Sequence, residues 1–131
     1  MPLPTDLREI ERAVRASWGV DVCEDPADVP RWSPVNPARG QCGPTALVLN
    51  DLLGGDLCVA EVHRPDGTRQ GFHWWNRLAG VEIDLTREQF GADEVVQERR
   101  VLARPPGPLR RGEAQYLLLR GRVLAALGTP A

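Results

Sequence analysis

Cys42 stands in Arg39-Gly40-Gln41-Cys42-Gly43-Pro44-Thr45-Ala46, where a strongly apolar stretch begins. Downstream come Phe72-His73-Trp74-Trp75-Asn76 and Glu82-Ile83-Asp84-Leu85-Thr86. A thiol, an imidazole and a carboxylate in that order are the parts of a nucleophile, its base and the group that orients the base. Cysteine attacks as the thiolate, and a free thiol with a pKa of roughly 8.5 is only slightly ionised at neutral pH. A helix N-terminus and an adjacent imidazolium both favour the thiolate, and the sequence puts Cys42 where both would act. The Cys42 backbone N–H is the first candidate for the oxyanion donor, with a side-chain amide from Gln41 or Asn76 as the second. Trp32 and Trp75 are candidate aromatic walls for a substrate.

These residues need elements to hold them. Pro44 suits a first helical turn, Ala46 to Leu53 is almost continuously apolar, and Gly54-Gly55 supplies a stop, so Cys42 opens a helix that must be central. Leu57 to His63 reads as a strand, Arg64-Pro65-Asp66-Gly67 as a turn, Thr68 to Leu78 as a second strand and Val81 to Leu85 as a third. A two-residue Ala79-Gly80 turn sets Leu78 opposite Val81, Arg77 opposite Glu82, Trp75 opposite Asp84 and His73 opposite Thr86. His73 and Asp84 then share a face as diagonal neighbours, roughly 7–8 Å apart at the backbone, a gap their side chains can close. A three-residue turn would send Asp84 to the other face. Phe72, Trp74, Leu78, Val81, Ile83 and Leu85 occupy that other face and call for cover by a further layer.

Around this centre, Leu7, Ile10, Val14 and Trp18 recur at helical spacing, with Asp6 as N-cap and Glu9 completing a box-like pair. Prolines 26, 30, 34 and 37 forbid long regular structure between Gly19 and Arg39, so a loop is expected there, over the surface or rim. Thr86 with Gln89 has the pattern of a capping box over a short helical turn. Glu94 to Ala103 reads as a strand, and residues 112 to 127 as a helix with a stripe of Tyr116, Leu119, Val123, Leu124 and Leu127.

At 131 residues, 42% of them hydrophobic, the chain suffices for one globular core and falls short of two ordinary domains. We therefore expect a single domain over 1–131. A net charge of −2 and a pI near 5.7 give no basic footprint for a phosphate backbone, so nucleic acid is not an expected partner. All 16 basic residues are arginine, which removes lysine as a nucleophile. No stretch approaches a membrane span or a secretory leader, and membrane partners are not expected. Cys23, Cys42 and Cys58 are odd in number and lack metal-ligand spacing. That usage fits free thiols in a reducing, cytoplasmic setting, and neither a metal nor an organic cofactor is implied. Oligomeric state is not readable. Cys23 and Cys58 read as buried small hydrophobes, Trp74 as core, and His63 as a solvated hairpin tip.

Gly40-Gln41-Cys42 with Thr45-Ala46-Leu47-Val48 and Gly54-Gly55, then His73-Trp74-Trp75-Asn76, then Ile83-Asp84-Leu85-Thr86-Arg87-Glu88-Gln89-Phe90, resemble the YunG family of small bacterial proteins. The resemblance runs from about Trp32 to Phe90 and weakens in the C-terminal helix. More broadly, the order of Cys on a helix and His and Asp on strands is similar to the papain-like and transglutaminase-like cysteine hydrolases. Gly40, Cys42 and Ala46 reproduce a Gly-x-Cys-x-x-x-Ala arrangement like that of transglutaminase-like proteins. The chain departs from papain-type enzymes in having Gln41 next to the cysteine instead of several residues before it. The resemblance implies an α+β fold of papain-like or transglutaminase-like type, with a central Cys-bearing helix packed on an antiparallel sheet.

The expected function is cysteine-dependent acyl transfer through Cys42, His73 and Asp84 on a small-molecule or peptide amide, ester or thioester. Release to water would make the protein a peptidase or amidase, and release to an amine a transferase. The alternative is a binding or regulatory module that keeps the fold without turnover; an open pocket at Cys42 favours the first, a buried thiol without one the second.

Overall fold

The structure is a computed structural model that describes residues 6–107, 109 and 111–128. Among the described residues three α-helices and one antiparallel sheet make an α+β fold. Helix α1 (Leu7–Ser17) starts where the Asp6 carboxylate accepts the Arg8 N–H at 2.8 Å, and it buries Ile10, Ala13, Val14 and Ser17. Its C-cap is Trp18, whose indole N–H donates to Thr45 Oγ1 at 2.9 Å. The proline-rich stretch is more regular than expected: it forms 3₁₀ turns at Val20–Val22 and Pro26–Arg31, the second capped by Asp25. Such turns accept proline because few of their N–H groups need an internal partner.

Helix α2 (Cys42–Leu53) lies between the other two helices and the sheet, and the Gly54 N–H closes it on Asn50 O. Helix α3 (Glu113–Ala126) packs on both α1 and α2. The main core sits among the helices: Ile10, Val14, Val22, Val48, Leu49, Leu119 and Val123 are almost wholly buried.

Strands β1 (Asp56–His63), β2 (Arg69–Leu78) and β3 (Val81–Ile83) run antiparallel, and β4 (Val95–Val96) and β5 (Arg100–Leu102) both pair with the far edge of β1. The strand expected over 94–103 is thus two short ones. The Ala79-Gly80 turn has two residues, with Leu78 opposite Val81, Arg77 opposite Glu82 and Asn76 opposite Ile83. Positive φ at both Ala79 (50°) and Gly80 (81°) matches the twist such a hairpin demands. Strand β3 stops at Ile83, so Asp84 and Thr86 leave the ladder.

The residues of β2 divide by parity, as a strand requires. Asn76 faces α2, donating to Ala46 O at 2.8 Å, while His73 and Trp75 stack on the opposite face with centroids 5.1 Å apart. The apolar face is covered only in part: Ile83 and Leu85 pack against the helical core, but Phe72 and Val81 are 47% and 64% exposed. On the His73 face Trp75 joins a small buried cluster with Cys58 and Ala60, partly covered by Val96. The segment after β3 supplies more cover: Phe90 meets the His73 ring edge-on at 4.8 Å, and the Arg87 guanidinium lies over Trp75.

Candidate functional site

Cys42 is the first residue of α2 and is half-buried. It reaches this position through a turn at Gly40, whose φ of +76° suits glycine. A Cβ there would stand 2.7 Å from Cys23 Sγ and 3.0 Å from Asp28 Cβ, so glycine also lets the 3₁₀ turn press against the approach to α2. The sulfur meets β2 along its open edge, beyond the reach of β3, with Phe72 O as its hydrogen-bond partner at 4.0 Å. Lost solvation, aided by the Asp28 and Glu24 carboxylates, pushes the thiol up to about 11, against the opposing pull of the Trp74 N–H and the Gln89 side chain. This reverses the direction expected from a helix start alone.

His73 is fully buried, and its Nε2 lies 2.8 Å from Asp84 Oδ2. Asp84 Oδ2 also accepts from Arg87 Nε at 2.7 Å, and Oδ1 from the Thr86 N–H at 3.3 Å. Burial pushes the Asp84 carboxyl up, but the hydrogen bond and charge of His73, with those of Arg87, outweigh it and hold the carboxyl below its usual value. An ionised Asp84 only accepts, so Nε2 carries a proton in either form of the ring, and in the neutral form Nδ1 is the bare nitrogen. Among the described residues Nδ1 has no hydrogen-bond partner. The expected contact between thiol and imidazole is not made; the sulfur touches the peptide groups on either side of His73 instead.

Gln41 and Asn76 prove unsuited to an oxyanion role. Gln41 is fully buried, with its amide donating to Gly19 O and Arg39 O and accepting from the Gly19 N–H. Asn76 is spent on Ala46 O. Nor do Trp32 and Trp75 wall the space at Cys42: the Trp32 indole is tied to Pro37 O at 2.9 Å, and Trp75 lies on the far face with its N–H on Glu82. Trp74, expected in the core, is half-buried beside Cys42. Cys23 and Cys58 are buried, and His63 is bonded to Glu61 at 2.8 Å.

A cavity of about 600 Å³ opens over Cys42, walled by Phe72, Trp74, Phe90 and Gln89 and rimmed by charged residues. Gln89 was missed as a site residue because its pattern with Thr86 reads as a capping box. The Thr86 side chain makes no cap bond, and the Gln89 amide is used otherwise. Its Oε1 accepts the Gly40 N–H at 3.3 Å and its Nε2 donates to Thr86 O at 3.0 Å, leaving a second N–H beside the thiol. At the cavity wall the buried Arg39 forms two hydrogen bonds to Glu94, at 3.0 and 2.7 Å. Fifty-five residues separate that pair, and no local pattern announces it.

Comparison with known proteins bears on this arrangement. The model of the YunG protein family matches residues 6–128. The chain belongs to the YunG family. An "Uncharacterized protein YunG" from Bacillus subtilis (strain 168) is 34% identical over 90 residues, covering 69% of this chain and 72% of that one. No solved structure matches the chain. YunG membership therefore covers the Cys42 turn, the His73 strand and the Asp84 segment together with all three helices. Among the described residues no helix is long and apolar enough to cross a membrane.

Proposed function

We propose that this chain is a cysteine-dependent acyl-transfer enzyme of papain-like or transglutaminase-like type, acting in the cytoplasm on a small amide, ester or thioester. One observation carries the reading. His73 is held through Nε2 by Asp84 while its Nδ1 is buried without a hydrogen-bond partner among the described residues, and the residue before it in sequence carries the carbonyl that touches the Cys42 sulfur. A buried acceptor with nothing to accept is costly and calls for a function.

The resting thiol is neutral, so its deprotonation is coupled to attack. In the proposed step the sulfur leaves the Phe72 carbonyl, swings around the open edge of β2 to the His73 face and gives its proton to Nδ1 as the sulfur–carbon bond forms. The Cys42 N–H and the second Gln89 N–H receive the oxyanion, the role first assigned to Gln41 or Asn76. His73 passes the proton to the leaving amine, alcohol or thiol as its bond to the acyl carbon breaks. Water or an amine then attacks the thioester, loses a proton through His73, and the thiol is restored.

A second reading, a binding or regulatory module without turnover, is favoured by the raised thiol and the missing contact to His73. Intact-mass measurement after exposure to a panel of activated amides, esters and thioesters separates the two. The acyl reading expects a single adduct on the wild type that Cys42→Ala abolishes and His73→Ala slows by about 10²-fold or more. Labelling confined to Cys23 or Cys58, with Cys42 inert to every donor, sinks it.

A further inference from the structure

The rim of the Cys42 cavity carries opposite charges on two different elements. On one side, Glu24, Asp25 and Asp28 come from the chain leading into and through the 3₁₀ turn Pro26–Arg31. That chain presses on both glycines beside the thiol: a Cβ at Gly40 would meet Asp28, and one at Gly43 would stand 2.9 Å from Glu24 Oε2. On the other side, Arg64 and Arg69 come from the turn between β1 and β2 and from the first residue of β2. Cys42 borders both elements: the Asp28 and Glu24 carboxylates act on its thiol, and its sulfur touches Phe72 O on the strand that Arg69 begins.

The two arginines are the unclaimed cations of the rim. Arg31 and Arg39 pair with Glu94, and Arg111 stands 4.0 Å from Glu24. Arg64 and Arg69 take part in no ion pair among the described residues. Instead Arg64 is steadied by Thr68 Oγ1 and Arg69 O, at 3.3 and 3.1 Å. The Arg69 guanidinium folds back over the Phe72 ring at 5.0 Å, next to the carbonyl that holds the thiol. Positioned, charged and without a carboxylate, these groups suit one supplied from outside. Across the cavity, the nearest cation to Asp28 among the described residues is Arg39 at 4.0 Å, with Arg31 acting from farther off, and burial pushes the Asp28 carboxyl up; Asp25 accepts the Ala27 N–H and makes no ion pair among the described residues. An ammonium would relieve both. The volume, about 600 Å³, falls within the range of small-molecule sites.

We infer that the cavity takes a short free peptide of dipeptide size, its ammonium toward Asp25 and Asp28, its carboxylate toward Arg64 and Arg69 and its central amide over Cys42. The inference rests on the acyl-transfer reading for the amide's position, and it names the substrate class for that reading. It is tested without chemistry, by NMR titration of the Cys42→Ala protein with Ala-Ala, N-acetyl-Ala-Ala, Ala-Ala-amide and the doubly blocked peptide. The free dipeptide binds, and blocking either end weakens binding by about tenfold or more, as a lost charged contact does. Adding Arg69→Gln abolishes the penalty for the amide, and adding Asp25→Asn or Asp28→Asn reduces that for the acetyl group. Equal affinity for all four peptides, discrimination at one end only, or no binding of Ala-Ala at about 10 mM overturns the inference. Selective binding alongside a Cys42 inert to acyl donors would discard the acyl reading and keep the peptide site; acylation without selective binding would do the reverse.

Discussion

Asp84 bonds to three partners at once, His73, Arg87 and the Thr86 N–H, and only the last is what a turn residue needs. The substitution Asp84→Asn separates these jobs. The amide oxygen still accepts from Thr86, which leaves the NH₂ group facing His73. Two donors cannot face each other, so the imidazole moves its proton to Nδ1 and loses the nitrogen that would accept the thiol proton. We expect turnover of any acyl donor to fall by about 10³-fold. Stability should change by less than about 1 kcal/mol, because the Arg87 contact is half in solvent. Steady-state rates and urea midpoints measured together check this, and an unchanged rate would reduce Asp84 to a turn residue. Gln41 shows the opposite lesson: its place beside the cysteine suggests chemistry, and its burial makes it the clamp between Gly19 and Arg39.

At the scale of elements, the approach to α2 depends on close contact between the Gly40 turn and the 3₁₀ turn. Substituting Gly40→Ala meets two penalties, a left-handed backbone that a side chain disfavours and a Cβ pressed against Cys23 and Asp28. The expected loss is about 2 kcal/mol, read from the shift of a urea midpoint at constant slope. Cys42 reactivity should change as well, since the same turn aims the thiol. A loss below about 0.5 kcal/mol would mean that the two turns are not packed as described. The β2–β3 hairpin was more legible, because a two-residue turn allows one register and the Arg77–Glu82 pairing supported it. Its continuation past Ile83 was not legible, because chain leaving a sheet edge is placed by what it packs on, here His73 and Trp75.

For the molecule as a whole, the buried Arg39–Glu94 pair ties the turn before α2 to the segment before β4, and Gln70 of β2 donates to the same carboxylate. Burial raises the Glu94 carboxyl, but the hydrogen bonds of Arg39, Gln70 and the Gly91 N–H, with the Arg39 charge, outweigh it and hold the group at about 2. Arg31 at 3.6 Å adds to this, while Asp28, 4.0 Å from Arg39, competes for the same cation. A depressed carboxyl stabilises the fold fully above its ordinary value near 4.5, and that contribution fades as pH falls through about 2. Replacing Glu94→Gln should therefore cost on the order of 3 kcal/mol at pH 7, because Arg39 is left buried and unpaired. The deficit relative to wild type should shrink steadily below pH 4.5. Denaturant unfolding at pH 7 and pH 3 checks it; an undiminished deficit at pH 3 would assign Glu94 to packing instead of charge.

Residue spacing accounts for the helices, the β1–β3 meander and one expected contact across it. Apolar periodicity placed the helices, the Ala79-Gly80 turn set the hairpin register as far as Ile83, and extending that register pointed to the His73–Asp84 contact, which forms although Asp84 has left the ladder and the expected Trp75–Asp84 and His73–Thr86 pairs are not made. These are consequences of local geometry, in which each residue's neighbours are known from its spacing. Long-range packing fixes the rest: that Cys42 meets β2 at its edge, that Gln89 is the amide at the thiol and not Gln41 or Asn76, and that Arg39 and Glu94 share one buried pair. Each of those depends on how the chain between 84 and 94 wraps the sheet. Such a path is chosen by the summed burial and hydrogen bonding of many distant residues, which no spacing along the chain records.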